Sequence, residues 1–348
     1  MTDVDWARYP RLAAAAQART WLTIQADLQL APNTIAAYAR ALEEYLAFSA
    51  RHQVAPESAD RVHLARYVRD LAERPNPSGK DGRARTAGVG LANATIQLRL
   101  TTLRLYYDYL LETGCRLDNP VGRGRYTPGR AFGGTGERGL VRRLAPLPWI
   151  PDDEEFRRLV RVAADESRRN QLMLLLAYTC ALRREELCAL TMADVALAPR
   201  GVRVRAEATK GRRERFVPFT TVVDPCYAAY LRHRRDLSRQ AGPLFLSESR
   251  RNRGAPITIW TWSKVVRLLA DRAGLPRLST HTLRHLRLTD LACAGWDLHE
   301  IATFAGHRST DTTLGYIHRS GRELGAKLSQ GMAQVHAWRA AQLAEVLA

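Results

Sequence analysis

Lysine is almost missing from this chain of 348 residues. Of 53 lysines and arginines only four are lysines, Lys80, Lys210, Lys264 and Lys327, which leaves 49 arginines. Arginine serves wherever a generic cation is enough, so a retained lysine marks a place where an ammonium of adjustable pKa is wanted. Cysteine is scarce too: Cys115, Cys180, Cys188, Cys226 and Cys293 form no C-x-x-C spacing and are odd in number. That argues against a disulfide framework or a zinc ribbon and for reduced, mostly packed thiols. No apolar run approaches the roughly 20 residues of a membrane-spanning helix, and the opening Met-Thr-Asp-Val-Asp lacks a secretory pattern. A soluble, cytoplasmic protein is expected. His281 and His285 stand at helical i, i+4 spacing, but no glutamate follows His281 as in a metalloprotease. Neither a metal nor a cofactor is therefore expected.

What is present in excess is positive charge. The net charge of +18 and pI near 10.4 form an electrostatic footprint for nucleic acid. An anionic membrane is the rival partner, and the missing apolar runs argue against it. A chain of this length, 46% hydrophobic, supplies apolar surface for two cores.

The pattern along the chain divides it into four parts. Residues 1–118 read as helical, with Asn33-Thr34 expected to cap a helix through Phe48 whose Ile35, Tyr38, Leu42, Tyr45 and Leu46 share a face. A second helix is expected from about Thr95 to Glu112, stopped by Gly114. Its Leu98, Leu100, Leu103, Leu105, Tyr106, Tyr109 and Leu110 cover more than one stripe, which implies burial on two sides. A polar, glycine-rich stretch containing Lys80 separates these helices and reads as a loop whose cations can touch phosphates. Residues 119–149, rich in glycine and arginine and including Arg123 and Arg125, read as a basic linker. Residues 150–320 read as a mainly α domain with a small sheet, opening at Pro151-Asp-Asp-Glu-Glu155, whose proline and acids suit a first helical turn. In residues 321–348, Leu324, Leu328, Met332, Val335, Trp338 and Leu343 mark an amphipathic helix expected to pack on its own domain or, as the family resemblance described below implies, on a neighbouring protomer.

Within 150–320 lie the residues that carry chemistry. A phosphodiester is anionic and repels nucleophiles, so guanidiniums that donate paired hydrogen bonds to its nonbridging oxygens must neutralise it first. Arg183 and Arg284 are the candidates. Tyr316, the only tyrosine after Tyr230, stands nine residues beyond His307. Its phenol can attack phosphorus and form a covalent ester. Lys210 sits between Val202-Arg-Val204 and Phe216-Val-Pro218, two short strands joined by a basic turn. There it either protonates the leaving oxygen or is a solvated turn lysine. Glu186, one helical turn after Arg183, either orients that guanidinium or forms a surface pair with it. His-x-x-Arg occurs three times, at His63, His281 and His336, so only the order in which the second copy stands, between Arg183 and Tyr316, is informative.

Taken together, Tyr178-Thr-Cys-Ala-Leu-Arg183-Arg-Glu-Glu186-Leu, Lys210-Gly-x-x-x-Arg215-x-Val-Pro218, His281-x-x-Arg284, Gly306-His307 and Tyr316 resemble the tyrosine recombinase (phage integrase) family. Ala181 departs from it, standing where the family box has glycine. The resemblance implies a helical, SAM-like core-binding domain and a mostly α catalytic domain forming a C-shaped DNA clamp. It implies that Arg183 and Arg284 hold the scissile phosphate, Lys210 protonates the leaving oxygen, His281 and His307 assist, and Tyr316 is the nucleophile. Glu186 would support Arg183, Arg184 is the adjacent alternative to Arg183, and His285 and His299 are further candidate assistants. The implied partner is double-stranded DNA with an inverted-repeat site, bound by a homo-tetramer that is a monomer or weak dimer when free, with room for an accessory DNA-bending protein and association with the nucleoid. With about 30 residues before Asn33, an additional arm-binding domain is not expected. Two alternatives stay open: a type IB topoisomerase-like enzyme using the same chemistry, and a DNA-binding regulator that kept the fold but not the reaction.

Overall fold

Among the described residues of the N-terminal part of the chain, apolar residues at threes and fours wind into five α-helices: α1 (Pro10–Ala14), α2 (Ala16–Asp27), α3 (Pro32–Arg51), α4 (Arg61–Glu73) and α5 (Asn93–Glu112). The computed structural model describes residues 4–75, 90–121, 140–141, 144, 148–209, 213–307 and 313. The chain forms two compact units, Met1–Ala145 and Pro146–Ala348. No described helix is long and apolar enough to cross a membrane.

Two local expectations change in the first unit. Helix α3 begins at Pro32 after an uncapped Ala31, so Asn33 and Thr34 lie inside the first turn instead of capping it. A proline at the first helical position lacks only an N–H that would have had no helical partner. Helix α5 buries one broad face, with Ile96, Leu100, Leu103, Tyr106, Tyr107 and Leu110 in the core, while Leu98 and Leu105 remain 40% and 39% exposed. Its second leucine stripe is therefore not a second core face. Of the aromatic rings on these two helices' apolar faces, Tyr45 and Tyr106 are fully buried and Tyr38 and Tyr109 half-buried; the Tyr45 and Tyr107 hydroxyls meet at 2.6 Å, and Trp21 stacks on Tyr38. Val121, Leu140 and Val141 pack on this same core.

The second unit opens as the acids at 152–155 suggest. Asp152 caps α6 (Asp153–Ala164), accepting from the Glu155 N–H, while Glu155 accepts from the Asp152 N–H. There follow α7 (Arg168–Thr179), the short α8 (Arg184–Cys188), strands β1 (Val195–Leu197), β2 (Arg200–Val204) and β3 (Arg215–Pro218), then α9 (Val223–Leu237), α10 (Ile259–Arg272), α11 (Thr282–Cys293) and α12 (Leu298–Ala305). Helix α7 buries Leu172, Met173, Leu176 and Ala177 and packs between α9 and α11. The strands form an antiparallel sheet in the order β1-β2-β3, with Val202 opposite Val217, both fully buried. The expected strand pair flanking Lys210 is thus β2 and β3, with Val204 opposite Arg215. Lys80, Arg123, Arg125, Lys210, Tyr316 and the 321–348 segment lie outside the described residues.

Candidate active site

The site is built where α7 ends. Ala181 adopts φ +47, the left-handed conformation that favours glycine. For an L-residue this costs roughly 1 kcal/mol. The methyl is fully buried in the apolar core, which offsets that cost. The alanine therefore keeps the turn that a glycine would make. This turn places Arg183 at the N-cap of α8 and aims the Ala181 carbonyl at the guanidinium of Arg284, which donates from Nη1 at 2.6 Å.

Glu186 is no surface pair. Its side chain is 0% exposed and lies between two guanidiniums. Arg183 donates to it twice, from the backbone N–H at 2.9 Å and from Nη1 at 2.8 Å. Arg215, on β3, approaches from the other side with Nη1 at 3.2 Å and Nη2 at 2.8 Å, and its Nε donates to the Phe304 carbonyl at 3.2 Å. Burial by itself would push the Glu186 pKa up. Arg215, the Arg183 N–H and the Arg183 charge more than reverse this and hold it at about 2. Gly306 ends α12 in the left-handed region at φ +66, and a Cβ there would stand 2.8 Å from the Arg215 guanidinium. Glycine is needed at this position for conformation and for space alike.

Arg284, on the first turn of α11, is fully buried. Besides Ala181 it donates from Nη2 to the Ala305 carbonyl at 2.7 Å and to His307 Nε2 at 2.8 Å. Arg183 Nη1 reaches the same Ala305 carbonyl at 3.4 Å. Burial, with the charges of Arg284, Arg183 and Arg215, pushes the His307 pKa down to about 3, so its ring is neutral. His281 stands at the start of α11. Solvent reaches it, yet surrounding protein desolvates the ring, and Arg284 and Arg183 add repulsion that outweighs the pull of Glu185, so its pKa also falls below the ordinary value.

Arg183, Arg284, His281, His307 and Glu186 are thus gathered by α8, α11 and the end of α12. Arg184 turns elsewhere, donating to Glu185 and Ser263 and lying over the Trp260 ring. His285 stacks edge-on against His281 at 6.1 Å, and His299 lies in the first turn of α12, exposed. Around Lys210, the Thr209 hydroxyl accepts from the Arg213 N–H at 3.1 Å, tying together the residues on either side of it. Two participants escape a reading of the sequence. Arg215 falls inside the motif that begins at Lys210 but has no role there, and its position beside Val217 on a half-buried strand is the available signal. Thr313, whose hydroxyl meets His307 Nδ1 at 2.8 Å, carries no signal of its own.

Three guanidiniums anchored on one buried acid and three carbonyls, those of Ala181, Phe304 and Ala305, gather positive charge beside a neutral histidine within a mainly helical unit, an arrangement chemically suited to an anion. Residues 151–323 match the phage integrase family, and residues 21–114 match the phage integrase N-terminal SAM-like domain. Tyrosine recombinase XerD of Caulobacter vibrioides is 30% identical over 311 residues, 84% of this chain and 88% of its own. A tyrosine recombinase of Pseudothermotoga lettingae is 26% identical over 294 residues, 83% of this chain and 88% of its own. Among solved structures, a lambda integrase(75–356) dimer bound to a COC′ core site shares the fold, with TM-score 0.63 and 16% identity over 88% of this chain and 96% of that one. The chain belongs to the tyrosine recombinase family, enzymes of site-specific recombination.

Proposed function

We propose that this recombinase cuts and rejoins double-stranded DNA one strand at a time through a 3′-phosphotyrosine at Tyr316. The supporting observation is the Ala305 carbonyl, which accepts from both Arg183 and Arg284 and so holds two guanidiniums of distant sequence origin side by side. Both are anchored on protein oxygens before any substrate arrives, so little reorganisation is needed when negative charge develops on phosphorus.

In the proposed reaction the Tyr316 oxygen bonds to phosphorus and the 5′ oxygen departs. Lys210 gives that oxygen its proton, and His281, held neutral by its surroundings, can take the phenol proton. Attack by a partner strand's 5′ hydroxyl on the same phosphorus expels the tyrosine and reverses each proton transfer. The high-energy ester is conserved throughout, so no cofactor is required. Exchange between two duplexes calls for four protomers on two inverted-repeat sites, assembled on DNA from monomers or weak dimers. The basic residues Lys80, Arg123 and Arg125 serve as phosphate contacts outside the site. An accessory DNA-bending protein would act on the DNA between sites.

The test is covalent trapping. Wild type incubated with a nicked suicide site in the presence of a chelator should form a protein-DNA adduct, and Tyr316→Phe should bind the same DNA without forming one. An adduct in Tyr316→Phe would remove Tyr316 from the role. Exchange of flanking DNA between two marked sites separates a recombinase from a topoisomerase-like enzyme, which would only relax supercoils.

A further inference from the structure

Two hydrogen-bond contacts bear on the protonation state of His307. Arginine can only donate hydrogen bonds, so the 2.8 Å contact from Arg284 Nη2 requires a lone pair on His307 Nε2. A neutral imidazole then carries its proton on Nδ1, and that N–H faces the Thr313 hydroxyl oxygen at 2.8 Å. Thr313 is 0% exposed, so water does not compete for this bond.

We infer that Thr313 is a positioning residue: its hydroxyl holds the His307 ring in the Nδ1–H tautomer, so that Nε2 presents a lone pair that aims the Arg284 guanidinium. In the free protein, His307 is therefore an acceptor that orients the phosphate clamp, not a cation that supplements it. The depressed His307 pKa agrees with a ring that stays neutral. A proton added at Nε2 would face the guanidinium N–H directly, charge against charge. Without the Thr313 oxygen the Nδ1–H loses this buried acceptor and that tautomer is penalised, which weakens the hold on the ring that lets Nε2 accept from Arg284. Thr313 also stands three residues before Tyr316, so one hydroxyl close in sequence to the proposed nucleophile sets the geometry of an arginine on α11. The kinetic consequence rests on the proposed role of Arg284; the tautomer does not.

The experiment uses full-length protein labelled with [15N]histidine and two-bond 1H–15N correlation spectra at neutral pH. Of the nine histidines, His307 is identified by the cross-peaks missing in His307→Gln. Wild type should show the Nδ1–H pattern, Thr313→Val should gain the Nε2–H pattern, and Thr313→Ser should restore the first. Single-turnover cleavage of a suicide duplex at saturating protein should slow about 10- to 100-fold in Thr313→Val, as for partners that orient histidines elsewhere, and return close to wild type in Thr313→Ser. An Nε2–H or imidazolium pattern in wild type would overturn the inference without reference to any variant. So would a Thr313→Val protein that keeps the Nδ1–H pattern, or one that changes tautomer yet cleaves at the wild-type rate. An adduct in Tyr316→Phe would sink the proposed function instead, while the spectra would still decide the tautomer.

Discussion

Replacing Glu186 by glutamine keeps the shape of the site and removes its central charge. The carboxylate is 0% exposed between Arg183 and Arg215, so the NH2 of the replacing amide would point an N–H at one guanidinium or the other. The Glu186 pKa of about 2 against an ordinary 4.5 corresponds to roughly 3 kcal/mol favouring the charged folded form at neutral pH. Breaking a buried ion pair by removing one partner costs a comparable 3–5 kcal/mol or so. For a unit the size of Pro146–Ala348, each kcal/mol moves the melting temperature by about 2–4 °C, so Glu186→Gln should melt roughly 6–12 °C below wild type. The sign with pH follows from a depressed carboxylate pKa: the contribution is full above the unfolded pKa near 4.5 and is lost as pH falls toward 2. Calorimetry of both full-length proteins from neutral pH downward should therefore show a gap that closes in that window. A gap of the same size at neutral pH and well below 4.5, or no gap at neutral pH, would refute the charge-based account of this cluster.

Further predictions address catalysis and the backbone. Arg183→Ala should lose about 3–4 kcal/mol of transition-state stabilisation, like one lost oxyanion donor. Arg123→Ala with Arg125→Ala should instead weaken DNA binding across sequences and lower the salt slope by about one per phosphate contact; cleavage rates at saturating protein and salt titrations check the contrast. Lys210→Ala should cleave ordinary DNA about 10²- to 10⁴-fold more slowly, as for a lost general acid. It should cleave near the wild-type rate when the bridging 5′ oxygen is replaced by sulfur, which leaves without a proton; equal slowing on both substrates would make Lys210 a phosphate contact or a structural residue. Gly306→Ala should lose about 1 kcal/mol for its left-handed backbone and more for displacing Arg215. Gly114→Ala, at φ +73 with nothing within 4 Å, should lose only the backbone part, and thermal melts of the two compare them.

Much of the fold was legible because its signals are local. The capping box at Asp152 and Glu155 needs only residues three apart, and the inward alternation of Val202, Val204 and Val217 is readable within each strand. The two local misreadings, at α3 and α5, have the same origin. Asn33 and Thr34 are good capping residues, but Pro32 had already started the helix. Leu98 and Leu105 are apolar, but which of two stripes meets a partner depends on where α3 lies.

The sequence by itself determined the identities and order of Arg183, Lys210, His281, Arg284, His307 and Tyr316, since side-chain chemistry and spacing are covalent properties of the chain. It also set the scarcity of lysine that singles out Lys210. Only the tertiary structure decided which of 49 arginines meet. Arg215 joins Arg183 at Glu186 because β3 packs beside α12, and Arg284 reaches Ala181 and Ala305 because α11 packs on α7 and α12. The physical reason is that a buried guanidinium is stable only where several carbonyl and carboxylate oxygens converge on it. That convergence is set by helices and a strand from separate parts of the chain, so no sequence window contains it. The same holds for Thr313, an ordinary threonine in the sequence that becomes the partner of His307 only after the end of α12 has been folded over Arg284.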